Sequence, residues 1–158
     1  MAFHGCDMIA SLQHLPPVET DGTYEVKRAF IADKGKILGF VREHFGDGWC
    51  HETERALLQD VSRCFIAVRD GQLLGFACYD ASAKGFFGPI GVREDCRGHN
   101  VGRALLIRTL TAMRENGYAY AIIGWVNEAE HFYRKAVGAE FVPGGEPENS
   151  IYSERIEA

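Results

Sequence analysis

The spacing of apolar positions changes along the chain, and each change marks a new element. The segment "MIASLQHLPPV" reads as a short helix stopped by Pro16 and Pro17, inside an N-terminal extension of residues 1–20. "TYEVKRAFIA" alternates and reads as a strand with Tyr24, Val26 and Phe30 inward. Over residues 33–46, Ile37, Leu38, Val41 and Phe45 fall at helical spacing, and Gly46 is placed to end that helix in a left-handed cap. A second helix is predicted over 50–60, after the Gly-Asp-Gly break.

Beyond it the period shortens. "RCFIAVRD" and "QLLGFACYDA" are rich in strand formers and are joined by Asp70-Gly71, a strong hairpin signal. "KGFFGPIGV" is a third apolar run, broken by Gly88, Pro89 and Gly91; proline cannot donate to a ladder, so a bulge or a lost partner is expected near Pro89. From Val101 to Glu115 helical spacing returns, with Val101, Leu105, Leu106, Leu110, Ala112 and Met113 on one face, and Asn116-Gly117 closes the helix. "YAYAIIGWV" has the near-continuous apolarity of a central strand, and a short helix over 128–136 and two strands, "AEFV" and "IYSERI", complete the pattern.

This order predicts an α/β (α+β) fold on a mostly antiparallel sheet. The strand ending at Val92 and the strand at 118–125 are joined by a helical crossover, which makes them parallel neighbours. Neither repeats nor a long linker divide the 158 residues, so one domain over 1–158 is expected.

Composition narrows the function classes. The net charge of −5, with no basic block, gives no nucleic-acid footprint. The absence of an apolar run of membrane-spanning length, together with the lack of a basic-then-apolar start, points to a cytoplasmic protein with no membrane partner. Five widely spaced cysteines, Cys6, Cys50, Cys64, Cys78 and Cys96, suggest buried free thiols, with neither a disulfide framework nor a metal site.

The stretch "CRGHNVGRALL" concentrates unusual chemistry at a strand-to-helix turn. Gly98 and Gly102 let main chain approach a ligand, Asn100 tolerates positive φ, and Arg97 and Arg103 offer donors to anionic oxygens at the positive end of a helix. An anion cradle accounts for the arginines as well as the glycines; a glycine turn with solvated arginines is the other reading. A phosphate loop with its G-K-S/T and a G-x-G-x-x-G fingerprint are both absent.

Within this context the chain resembles the GNAT-superfamily N-acyltransferases over roughly residues 22–156. "RGHNVG" is similar to the acyl-CoA motif of Arg or Gln, two residues, Gly, one residue, Gly or Ala, with Asn100 at the middle glycine. "HFYRKAVGAEFV" is similar to the family's F-Y-x-K-x-G-F, with one residue inserted before Gly138. The resemblance implies a mixed sheet with a splayed parallel strand pair and helices on both faces. It implies acetyl-CoA as co-substrate, with Arg97, Gly98, His99, Asn100, Val101, Gly102 and Arg103 at its diphosphate, Ile90, Gly91 and Val92 at pantetheine and thioester, and Asn127 nearby. It further implies Tyr133 as the catalytic phenol at the leaving thiolate, with a small-molecule or peptide amine as acceptor.

The strand at 84–92 carries no carboxylate, which leaves the general base unassigned among Asp80, Glu25, Tyr24, His51 and His131. Trp49 and Tyr24 border the acceptor pocket by the same resemblance, that pocket being built from about 33–60 and 143–150, and a homodimer is the family's habit. A non-catalytic acyl-CoA-binding module on the same fold is the competing class.

Overall fold

A computed structural model describes residues 6–156. The first five residues of the expected N-terminal extension, and the last two of the chain, lie outside the described residues. Seven strands form one sheet: β1 (Met8–Ser11), β2 (Glu25–Arg28), β3 (Cys64–Arg69), β4 (Gln72–Tyr79), β5 (Phe86–Val92), β6 (Tyr120–Ile123) and β7 (Glu140–Phe141). Their spatial order is β2-β3-β4-β5-β6-β1-β7, antiparallel throughout except for the parallel pair β5–β6. Among the described residues four α-helices accompany it: α1 (Lys34–Phe45), α2 (Asp47–Leu57), α3 (Val101–Glu115) and α4 (Glu130–Val137).

Strand alternation divides the core between the sheet's two faces. Phe65, Ala67 and Tyr79 point toward α3 and pack with Leu105, Leu106 and Leu110. Cys64, Ile66, Phe76 and Cys78 point the other way, onto Ile37, Val41 and Ala56 of α1 and α2. Burying both faces explains why β3 and β4 read as nearly continuous apolar runs. All five cysteines are buried and free.

The β3–β4 hairpin closes at Asp70 and Gly71, whose φ values of 51° and 75° are those a two-residue primed turn requires. The expected irregularity at Pro89 takes both forms. Ala77 and Tyr79 on β4 face Ile90 and Phe87 on β5, so β5 carries the extra residue, and β5 pairs with β6 only at Phe86 and Phe87.

The fold corrects five expectations. "MIASLQHLPPV" begins as strand β1, not a helix: Met8 and Ala10 are buried while Ser11 is exposed, a period of two that fills the slot between β6 and β7. "IYSERI" is a 3-10 turn at Ile151–Glu154, capped by Ser150 Oγ accepting from the Tyr152 amide. Phe30 lies past the end of β2 and is 68% exposed. Gly46 has φ 99° and ψ 175°, outside the left-handed helical region, and joins α1 directly to α2 three residues earlier than predicted. "AEFV" shrinks to the two residues of β7, because β1 offers it only Met8 and Ile9 as partners. Among the described residues no helix is long and apolar enough to cross a membrane, and no metal-ligand cluster occurs.

Candidate active site

The early end of β5–β6 pairing opens a slot through the sheet, and a cavity of about 960 Å³ fills it. Past Phe87, the edge of β5 that β6 leaves bare is free for another partner. The Arg93 amide donates to Leu74 on β4, so alternation turns the Gly91 amide to β4 as well and turns Ile90 and Val92 to the bare edge. Ile90 and Val92 thus offer the cavity unpaired amides and carbonyls, where an extended chain of amides could add as a strand. Gly91 contributes through its lack of a side chain: a β-carbon there would lie 2.5 Å from the Phe45 ring.

At the start of α3, Asn100 takes the left-handed conformation at φ 65°, ψ 18°, and Gly98 has φ 92°. This pair of positive-φ residues turns successive amides inward. Among the described residues, the amides of Gly98, His99, Asn100, Val101, Gly102 and Arg103 have no protein acceptor; the next, Ala104, bonds to the Asn100 carbonyl. Free amides converging at a helix N-terminus, with open space where a Gly98 side chain would stand, form a concave donor array suited to phosphate oxygens. Arg97, Gly98, Asn100, Val101, Gly102 and Arg103 border the cavity. His99 does not: its ring faces Asp21 at 3.3 Å, while its carbonyl accepts from the Tyr24 hydroxyl at 3.1 Å. Tyr24 and Asp21 therefore brace the loop from its outer side.

Asn127 and Tyr133 border the cavity from the β6–α4 connection and from α4. Tyr133 is 6% exposed, with its ring edge-on to Phe87 at 6.2 Å. Burial, then the nearby Tyr152, holds its phenol well above the ordinary tyrosine range, so it stays protonated.

The opposite face supplies the rest. Trp49 stacks on Phe45 at 5.4 Å between ring centres, and both border the cavity. Of the five sequence candidates for a base, none borders it; Asp80 is engaged by Arg63 at 3.4 Å and by the Tyr118 hydroxyl. Two carboxylates do border it, Glu128 in the β6–α4 connection and, on α2, one residue from the candidate His51, Glu52. Its Oε2 accepts a close hydrogen bond from Ser82 Oγ, which in turn accepts from the Tyr152 hydroxyl at 2.6 Å. Burial pushes that tyrosine up to about 12.

Sequence reasoning missed Glu52, Ser82, Tyr152, Trp125 and Arg155. A clue existed for Glu52 alone, which sits three residues past Trp49 on a predicted helix and so shares its face. Trp125, at φ 56°, is a bulky side chain in a region that disfavours one. The Asp7 carboxylate holds it there, accepting from the Trp125 amide and from Ser150 Oγ at 3.0 Å each.

The acetyltransferase (GNAT) family model matches residues 37–139. No curated protein sequence matches the chain. A solved GCN5-related N-acetyltransferase from Sphaerobacter thermophilus superposes with a TM-score of 0.70 at 22% identity, over 87% of this chain and 48% of that one. The glucosamine N-acetyltransferase region of a fungal multi-domain GH3 β-N-acetylglucosaminidase gives 0.69 at 15% identity, over 87% and 20%. A GNAT family N-acetyltransferase from Escherichia coli, solved in complex with CoA, gives 0.50 at 21%, over 67% and 63%. The chain therefore spans less than two thirds of each of these solved chains.

Proposed function

The chain belongs to the acetyltransferase (GNAT) family, and from that premise we propose that it transfers an acetyl group from acetyl-CoA to a primary amine by direct attack in a ternary complex. The observation that carries this reading is the cavity's continuity through the β5–β6 slot, from the amide cradle at α3 to the carboxylate of Glu52 on α2. Donor and acceptor can enter from opposite faces and meet at the strand edge.

Acetyl-CoA supplies an activated thioester carbonyl. The amides at residues 98–103, with Arg97 and Arg103, hold its diphosphate, and the bare edge of Ile90 and Val92 holds the pantetheine arm. A β5 amide on that edge stabilises the oxyanion. An acceptor amine arrives mostly as ammonium, so it must lose a proton before it attacks. Glu52 Oε1, which has no donor among the described residues, receives that proton directly or through water. The new nitrogen–carbon bond replaces the carbon–sulfur bond, the departing sulfur takes the proton of Tyr133, and the second proton shed by the nitrogen returns to Tyr133 through water.

Acetyl-CoA at 100 times its dissociation constant should add about 2.7 kcal/mol of stability, a melting shift of roughly 5 to 11 °C. A shift with ATP or NAD and none with acetyl-CoA would overturn the reading. Thiol release on an amine panel then separates enzyme from binder: binding with no release on any amine assigns an acyl-CoA-binding module.

A further inference from the structure

The acceptor end of the cavity is bordered by two charges of opposite sign, Glu52 on α2 and Arg155 just past the 3-10 turn at Ile151–Glu154. Gly48 and Glu52 lie one turn apart on α2, and the Arg155 guanidinium rests against Gly48: a β-carbon there would lie 3.6 Å from Nη2. The carboxylate of Glu52, its Oε1 free among the described residues, and the guanidinium of Arg155 both border the cavity at this end. Between and around them stand aromatic rings. Trp49 is 37% exposed and Trp125 46% exposed, and Trp125 is tilted against Tyr152 at 6.0 Å between ring centres. These apolar faces border the cavity and remain open to an incoming ligand.

We infer that the acceptor is an amine bearing a carboxylate beside it and an apolar or aromatic body, the chemistry of a free hydrophobic α-amino acid. This rests on the acetyl-transfer reading above. The amine faces Glu52, the carboxylate takes the planar fork of Arg155, and the side chain covers Trp49 and Trp125. Each alternative leaves a mismatch. A polyamine or aminoglycoside brings further positive charge against Arg155, and a simple alkylamine leaves Arg155 without its anion. The covalent step is unchanged: nitrogen gives one proton to Glu52, gains the acetyl carbon and sheds its second proton to water, while sulfur leaves with the proton of Tyr133, which that second proton replaces.

The test pairs amino acids with their decarboxylated counterparts, phenylalanine with 2-phenylethylamine and leucine with 3-methylbutylamine, with spermidine alongside. Thiol release from acetyl-CoA is followed on the full chain, and the acetyl-CoA melting shift is measured on the same preparation. The expected result is a kcat/KM at least tenfold higher for each amino acid than for its partner. Arg155→Gln should raise the amino-acid KM about tenfold, leave the partner amines unchanged and keep the acetyl-CoA shift. Equal or better turnover of the decarboxylated amines or of spermidine would overturn the inference, as would an Arg155→Gln effect equal on both members of a pair. A normal acetyl-CoA shift without release on either amino acid overturns the acceptor class and leaves acetyl-CoA binding standing. Loss of the shift in the wild-type chain overturns the acetyl-transfer reading itself.

Discussion

Tyr133 and Tyr152 stand on opposite faces of the sheet, each edge-on to one of two consecutive β5 residues: Tyr133 meets Phe87 at 6.2 Å and Tyr152 meets Phe86 at 6.5 Å. Alternation along β5 separates them, and the missing β6 partner beyond Phe87 lets both reach one cavity. In the proposed transfer the two phenols serve different ends, Tyr133 the thiolate on the α4 side and Tyr152 the amine on the α2 side.

Tyr133→Phe should therefore lower kcat about 100-fold, within the usual range for loss of a general acid, and leave the acetyl-CoA melting shift intact. The phenol is held neutral by its own burial, so the ring can stay while only the proton is lost. Thiol-release kinetics on the best amine measure this, and an unchanged kcat removes the residue from the mechanism.

Tyr152→Phe tests the other side. Its hydroxyl donates to Ser82 Oγ, which donates to Glu52. Removing it should loosen the carboxylate and raise the amine KM several-fold, with the acetyl-CoA shift unchanged. A loss of acetyl-CoA binding instead would place Tyr152 on the donor side.

The backbone at Asn100 separates cradle geometry from side-chain contact. With φ at 65°, Asn100→Gly should keep both stability and the acetyl-CoA shift, whereas Asn100→Val forces a β-branched residue into the left-handed region, costing about 1 to 2 kcal/mol. That corresponds to a fall in melting temperature of roughly 2 to 8 °C, and the acetyl-CoA shift should shrink with it. If Asn100→Gly abolishes the shift, the side chain itself contacts the ligand.

Gly124 sits where Tyr152 closes on the end of β6: an added β-carbon would lie 2.4 Å from the Tyr152 ring and 3.0 Å from Phe86. Gly124→Ala should cost about 1 to 3 kcal/mol by overpacking and raise the amine KM as Tyr152 is displaced. Thermal melts and amine saturation curves together check this.

Alkaline pH should unfold the chain in a defined window. Burial raises Tyr118 and Tyr152 to about 12 and Cys6 to about 11, from ordinary values of 10 and 9. A raised pKa means that the unfolded chain loses these protons first, so stability is complete below about pH 9 and falls as pH climbs through 12. Melting temperature should be flat from pH 7 to about 9 and then decline. Tyr118→Phe should flatten part of the decline, and an equally steep fall in that variant would point to other groups.

The amino-acid sequence by itself determined the parts of this protein that depend on local rules. Period and turn chemistry carried α1, α3, the Asp70-Gly71 hairpin and the broken strand at Pro89, because a left-handed turn or a missing amide is a property of the residue. The turn at residues 97–103 was legible for the same reason: glycine, asparagine and a helix start announce main-chain conformation. Tertiary structure alone decided the rest. Met8–Ser11 could be helix or strand until β6 and β7 offered it edges, and a four-residue segment has too little internal preference to choose. The acceptor end joins Glu52, Ser82, Trp125, Tyr152 and Arg155 from four separate stretches, and no spacing rule links residues that meet only once the sheet has closed. The sequence leaves the general base open among Asp80, Glu25, Tyr24, His51 and His131, none of which borders the cavity; Glu52 reaches it from α2 through the slot, a route that exists only because β5 and β6 part after Phe87 and Ile123.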